Sequence, residues 1–246
     1  MSFMRTYPRV DLHTHTKYSD GRNGVVEMVR AAEANDLRLL AITDHLWRPF
    51  RVVEWLRKAR AEIEDLETGV EVLLGVELTG TRVGEVSVSR ELRRCTEIII
   101  CEHPIPQWNG GGIEEYLELV KRGIEYVVSV SGIDVLAHPL NLGRAGVVKD
   151  FRRLRNEFLS EVAQIIASSG VVVEVMSQMY WWYPQMPVDA FTDAYVNFVR
   201  ICKHYGISFS IGSDAHSACG VGNTRWSLKV LDRAGVSSDE IWLPHR

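Results

Sequence analysis

Residues 9–15 have the sequence Arg-Val-Asp-Leu-His-Thr-His, a short alternating run that ends in two histidines. Residues 207–216, Ile-Ser-Phe-Ser-Ile-Gly-Ser-Asp-Ala-His, repeat this arrangement near the other end of the chain. Side chains of a β-strand alternate between its two faces, so His13 and His15 project to one side, as do Asp214 and His216. Both segments therefore predict strands whose carboxyl ends can present groups that bind a metal ion.

Five more apolar, β-branched runs lie between these two segments, and polar residues again stand near their ends. The seven predicted strands cover residues 9–13, 38–43, 70–78, 97–103, 134–138, 171–176 and 207–213. The polar residues at or just beyond the inner runs include His45, Glu77, His103 and His138, and the sixth run carries Glu174 inside its end. The pattern predicts short buried strands that all deliver polar side chains in the same direction.

Amphipathic stretches separate the strands, which indicates a parallel sheet covered by helices. The predicted helices cover residues 25–35, 53–67, 113–131, 151–168, 190–205 and 224–234, and residues 83–89 suggest an extra hairpin. An open doubly wound sheet and a closed βα barrel both satisfy this order. The polar strand ends favour the barrel, because a barrel gathers all of them at one mouth.

Length and composition indicate an ordinary globular protein with one domain over residues 1–246. The chain has 28 basic and 32 acidic residues, so its net charge of −4 gives no general attraction to nucleic acid, although local binding is not excluded. No apolar run approaches the roughly 18 residues of a membrane span, and no signal peptide is recognisable, so we expect a soluble cytoplasmic protein with no membrane partner. The four cysteines form no Cys-x-x-Cys pair, and reduced thiols are expected.

So many imidazoles and carboxylates at one barrel mouth predict a metal centre. Buried polar groups need partners and buried like charges repel, so the cluster would be unfavourable without a cation. Nitrogen and oxygen ligands without thiolate suit zinc, manganese or iron, and we favour zinc or manganese.

The ordered motifs resemble the polymerase and histidinol phosphatase (PHP) superfamily of phosphoesterases. They include His13-Thr14-His15, Ser19-Asp20-Gly21, Thr43-Asp44-His45, Ala137-His138-Pro139 and Gly212-Ser213-Asp214-Ala215-His216. The resemblance implies an α/β fold, a distorted seven-stranded (β/α)7 TIM-like barrel, and two or three divalent metal ions. Position by position, it implies nine metal ligands, with Glu77 bridging: His13, His15, Asp20, His45, Glu77, His103, His138, Asp214 and His216.

The implied reaction is hydrolysis of a phosphate ester by a metal-activated hydroxide. The substrate would be a small phosphorylated metabolite, with histidinol phosphate and a nucleotide as options. Asp214 and His216 are the candidate catalytic residues. Asp214 or a metal-bound water would manage the proton, and a carboxylate that ligates metal could equally serve only a structural role. Lys17, Arg144 and Arg225 are candidates for binding the substrate phosphate, and each could equally be a solvated surface charge.

Two further groups have open interpretations. Asp11 and Asp44 could orient neighbouring ligands or cap backbone groups. Four consecutive aromatic residues, from Tyr180 to Tyr183, could form a substrate wall or lid, or a contact in a homo-oligomer.

Three other functions compete with the phosphatase hypothesis. A metal-dependent amidohydrolase would need a bridging lysine, and no predicted strand ends in one. An oligonucleotide exonuclease would need a local nucleic-acid groove. A non-catalytic accessory domain, like the PHP domains of some DNA polymerases, would keep the metal centre without the reaction.

Overall fold

A computed structural model of the chain describes residues 6–46, 53–80, 82–108 and 110–244. The apolar runs form parallel strands, which are buried because helices cover the sheet. The strands are β1 (Val10–Asp11), β2 (Leu39–Ile42), β3 (His45–Leu46), β4 (Glu71–Thr79), β5 (Ile98–Glu102), β6 (Val135–Ala137), β7 (Val172–Met176) and β8 (Phe209–Gly212). Their order is β1-β2-β4-β5-β6-β7-β8, and the short β3 also pairs with β4.

Backbone hydrogen bonds between the first and last strands close the ring. The Leu12 amide donates to the Ile211 carbonyl at 2.9 Å, and the Asp214 amide donates to the His13 carbonyl at 2.9 Å. A parallel bridge joins Thr14 to Ala215 just beyond. The seven main strands therefore form a nearly closed barrel, and the expected barrel is confirmed over the open sheet.

Seven helices surround the barrel in the described residues. They are α1 (Val25–Ala34), α2 (Val53–Glu64), α3 (Arg90–Cys95), α4 (Ile113–Ser129), α5 (Asn156–Ser169), α6 (Val188–His204) and α7 (Arg225–Ala234). Within the described part of the chain, no helix has the length and apolarity needed to cross a bilayer. All these elements belong to the same barrel. The prediction of one domain over residues 1–246 also includes residues that the structure does not describe, so it stays a prediction.

The hairpin expected at residues 83–89 is wrong. Residues 82–85 form a turn instead, and the Val86 carbonyl accepts a hydrogen bond from the Tyr126 hydroxyl on α4 at 2.6 Å. Ser89 then caps α3, because its hydroxyl accepts from the Leu92 amide at 3.0 Å. Val83 is exposed, Val86 is buried beside Gly80, and no residue in 83–89 has a strand partner.

Candidate metal centre

The barrel brings the polar strand ends to one mouth. His13 and His15 follow β1, Glu77 lies in β4, and Asp214 follows β8. The hydrogen bonds that close the barrel hold the first and last of these segments side by side. The pair His13 and His15 therefore faces the pair Asp214 and His216 across the seam, which is the join between β1 and β8.

Glu77 is the centre of the cluster and is only 1% exposed. Its Oε2 lies 3.0 Å from His45 Nδ1 and 3.4 Å from the Nε2 atoms of both His13 and His15. Its Oε1 lies 3.0 Å from His138 Nε2. One buried carboxylate therefore contacts four imidazoles, which is the position that a bridging ligand needs.

Asp214 completes this inner group from the other side of the seam. Its Oδ1 is 3.1 Å from His15 Nε2 and 3.5 Å from His13 Nε2, and its backbone has a φ of 56°. The preceding residue is fixed by Asp11, which accepts from the Ser213 amide at 2.8 Å and hydroxyl at 2.6 Å. Asp11 thus holds the loop that carries Asp214, and burial raises the pKa of Asp11.

A second group lies closer to solvent, around Asp20. Its carboxylate oxygens lie 3.3 Å from His216 Nε2 and 3.7 Å from His45 Nε2. The His15 ring stacks against both imidazoles, with centroids 4.3 and 4.5 Å apart. Asp44 holds the loop that leads to Asp20, since it accepts from the Thr16 amide at 2.7 Å and from hydroxyls in the same loop.

Two imidazoles are oriented by hydrogen bonds at Nδ1, which turn the Nε2 atom of each ring toward carboxylates of the cluster. His13 Nδ1 is 2.8 Å from the Glu174 carboxylate, and His216 Nδ1 is 2.9 Å from the Asp214 carbonyl. Both partners are acceptors, so each Nδ1 carries hydrogen and each ring directs its Nε2 at carboxylates of the cluster. Lone pairs that face carboxylate oxygens require a proton or a metal ion between them.

Sequence reasoning assigned no role to Glu174, although a carboxylate inside an otherwise apolar strand was the available signal. It orients His13 with Oε1 and accepts from the His138 amide with Oε2 at 2.7 Å. Gly212 leaves room for this pair, because a Cβ there would lie 2.2 Å from Glu174 Oε1 and 2.7 Å from the His13 Cβ.

The pKa values reflect the close contact of acids and bases. Burial alone would lower the pKa of His13, but Glu174, Glu77 and Asp214 outweigh it and hold that pKa well above its usual value. Burial likewise opposes the charged form of His138, but Glu77 raises its pKa to about 9. Burial would raise the pKa of Glu77, but the neighbouring imidazoles hold it well below its usual range. Protons therefore compete with metal ions for this cluster.

His103 is not brought into the cluster. Its Nδ1 lies 3.1 Å from the Pro104 carbonyl, and its Nε2 accepts from the Leu140 amide at 3.2 Å. Burial lowers the pKa of His103 to about 4, so the ring is neutral, as an acceptor requires. Both ring nitrogens are occupied by backbone groups, and its assignment as a metal ligand stays a prediction.

The three cations proposed for phosphate binding lie in different places. Arg144 forms an ion pair with Glu102, which reaches His138 through Asn141. Lys17 is exposed in the loop between β1 and α1 that also carries Asp20. The structure does not bring Arg225 to the mouth. Arg225 is the first residue of α7, and its side chain lines a groove together with residues that precede β1.

The aromatic segment, residues 179–183, is not a continuous wall. Residues 179–182 form a 3-10 helix, from which Trp181 projects with 66% exposure, whereas Tyr183 is buried in the core. Trp182 lies beneath the Arg144 guanidinium, 4.7 Å from its ring centroid. Only part of the segment is available to a substrate or a second subunit, and the oligomer contact stays a prediction.

Comparisons with known proteins identify relatives over most of the chain. A family model described as the PHP domain matches residues 11–178. An uncharacterized protein of Methanocaldococcus jannaschii is 25% identical over 239 residues, covering 95% of this chain and 93% of that protein. A probable phosphatase of Vibrio campbellii is 24% identical over 242 residues, covering 95% and 87%. The crystal structure of histidinol phosphate phosphatase from Lactococcus lactis, complexed with zinc, L-histidinol and phosphate, has the same fold. Its TM-score is 0.61 at 17% identity, with 94% of this chain and 95% of that chain covered.

Proposed function

Because the chain belongs to the PHP domain family, we propose that it is a metal-dependent phosphoesterase that hydrolyses a small phosphorylated substrate. The observation that carries this proposal is the set of imidazole nitrogens that converge on carboxylate oxygens around Glu77. Such a set needs cations, and a metal-filled mouth of this kind attracts an anionic substrate.

The donor set fits divalent metal ions. Three overlapping groups of possible ligands occur among the described residues: His13, His15 and Glu77; His15, Asp20, His45 and His216; and His13, His138 and Glu174. In the third group we treat Glu174 as the partner that orients His13, since it contacts the nitrogen that faces away from Glu77. Two or three zinc, manganese or iron ions would suit the remaining ligands, with Glu77 and Asp214 at the centre.

Metal ions held there supply Lewis acidity, which makes a water more acidic and neutralises charge on the phosphoryl oxygens. The chain's own residues then position the proton transfers. Asp214 is fixed at Oδ1 by His15 while its side chain is still 18% exposed, so it can accept a proton from a water at the mouth. His216 is 39% exposed at the outer edge, where a leaving group would depart. We assign these two residues to proton transfer.

Arg144 is the strongest of the three candidates for substrate binding. It lines a shallow groove of about 380 Å³ together with Ile105, Gln107 and Trp108. The groove combines a guanidinium, which can bind phosphate oxygens in a bidentate way, with apolar and aromatic surface for the rest of the substrate. The Lactococcus lactis relative makes histidinol phosphate the first substrate to test, and nucleotides come second.

The test is phosphate release by metal-loaded protein from a panel of phosphomonoesters, diesters and short oligonucleotides. We expect hydrolysis of a small monoester that stops when a chelator removes the metal and returns when zinc or manganese is added back. The Asp214→Asn variant should lose activity on the same substrate. Metal-loaded protein that hydrolyses no phosphoester would contradict the proposal, and cleavage of oligonucleotides alone would replace it with a nuclease function.

A further inference from the structure

The turn after β6, residues 138–144, follows a strained backbone path. His138 has a φ of 26° and Leu140 a φ of 65°, in the left-handed region that bulky residues rarely adopt. Leu140 is fully buried and is neither glycine nor asparagine. Surrounding groups must therefore hold this turn in place.

Three side chains from other segments bind the strained backbone directly. Glu174 accepts from the His138 amide at 2.7 Å, and His103 accepts from the Leu140 amide at 3.2 Å. The Tyr183 hydroxyl donates to the Leu140 carbonyl at 2.5 Å. Both backbone polar groups of Leu140 are therefore bound by side chains, and one of them belongs to the aromatic segment.

The same turn packs backbone to backbone against the aromatic segment. A Cβ at Gly143 would come within 1.6 Å of the Trp182 carbonyl oxygen, so only glycine allows this approach. The next residue, Arg144, places its guanidinium over the Trp182 ring. The turn and the aromatic segment therefore interlock at three points, which are Leu140, Gly143 and Arg144.

The interlock fixes two groups that the proposed reaction uses. His138 Nε2 is directed at Glu77 at 3.0 Å, and Arg144 is directed at Glu102 beside the mouth. We propose that Tyr183 is a positioning residue for the metal centre, whose hydroxyl holds the strained turn and thereby aims His138 at the metal. This inference rests on the proposed function, because it takes His138 as a metal ligand.

The surroundings of Tyr183 suit this role. The side chain is 1% exposed, and its ring packs against Phe151 and Phe191 with centroids 5.5 and 5.0 Å apart. The core therefore fixes the ring, and its hydroxyl is the polar atom that contacts the turn. The same cluster contains a matched control, Tyr195, which is fully buried and packs on Phe191, and whose hydroxyl has no partner among the described residues.

The test compares Tyr183→Phe with Tyr195→Phe, since each removes one hydroxyl from the same aromatic core. Metal content after dialysis is measured by elemental analysis, and zinc affinity by competition with a chromogenic chelator. We expect Tyr183→Phe to bind the most weakly held ion about tenfold less tightly or worse, as for other groups that orient a ligand. Tyr195→Phe should keep the affinity and stoichiometry of the unaltered protein, and hydrogen exchange should rise in residues 138–146 of Tyr183→Phe alone.

Equal zinc affinity in the two variants would overturn the inference. His138→Asn separates this failure from failure of the proposed function. If His138→Asn keeps full metal content, the ligand assignment itself is wrong; if it loses metal while Tyr183→Phe does not, only the role of Tyr183 fails. Should Tyr183→Phe not fold, Gly143→Ala pushes the turn away from Trp182 with Tyr183 intact, and normal zinc binding by that variant would also overturn the inference.

Discussion

Replacing Glu174 by glutamine tests the metal centre without removing a ligand. The carboxylate accepts two hydrogen bonds, from the His13 ring at 2.8 Å and from the His138 amide at 2.7 Å. Glutamine has one acceptor oxygen and one NH₂ group, so in either orientation one buried donor faces another donor. An unsatisfied buried donor costs about 1–3 kcal/mol, and partners that orient metal ligands are typically worth about 10–100-fold in affinity. A 10–100-fold loss of affinity corresponds to about 1.4–2.8 kcal/mol, which lies within the range for an unsatisfied donor.

The assay for Glu174→Gln is zinc or manganese affinity by chelator competition, with the free energy of unfolding of the metal-free protein measured in parallel. The matched control is Glu157→Gln, which makes the same chemical change on the exposed first turn of α5. We expect the affinity to fall about 10–100-fold in the first variant and to stay unchanged in the second. Unaltered affinity and stoichiometry in Glu174→Gln would refute the role assigned to this carboxylate.

Four other predictions follow from the same geometry. Gly212→Ala should destabilise the metal-free protein by about 1–3 kcal/mol in urea melts, because its Cβ would overlap Glu174; a smaller change would show that the pair can move. The metal-free protein should lose stability between pH 6.5 and about 9, because the pKa of His138 is about 9 in the folded state and about 6.5 in the unfolded chain. Protonation of His138 therefore stabilises the folded state, and this stabilisation is lost as pH rises through the folded pKa. Urea midpoints that stay flat over this range would contradict the pKa assignment. Arg144→Gln should raise KM for the phosphoester on the order of tenfold with metal content unchanged, and an unchanged KM would exclude contact with substrate. His103→Asn should keep more metal than His138→Asn, because both ring nitrogens of His103 contact backbone groups; equal losses by elemental analysis would support His103 as a ligand.

Much of the fold was predictable because the decisive signals are local. Apolar β-branched runs with polar ends predicted the strands, and the common direction of those ends favoured the barrel that the structure confirms. The hairpin predicted at residues 83–89 was wrong because a short run of β-branched residues also occurs in irregular segments, and periodicity over seven residues cannot distinguish these from a strand.

Most of the candidate metal ligands could also be predicted, because same-face spacing and strand-end position specify direction. Asp20 and His216 do come together, and Glu77 lies among four imidazoles, although its bridging role stays a prediction. The role of Glu174 was not predictable, since its partners are a ring 161 residues away and a backbone amide 36 residues away. The position of Arg225 was not predictable for a similar reason: it lines a groove with residues that precede β1, and loop paths leave little trace in composition.

The sequence by itself determined which groups at the strand ends reach the barrel mouth, because alternation along a strand and the parallel direction of strands are local properties of the backbone. Only the tertiary structure decided how those groups are held. It placed Glu174 behind His13, bound the strained Leu140 backbone between His103 and Tyr183, and buried a tyrosine that the sequence suggested for an interface. Hydrogen bonds between residues far apart in the chain depend on side-chain packing in three dimensions, which no local sequence pattern records.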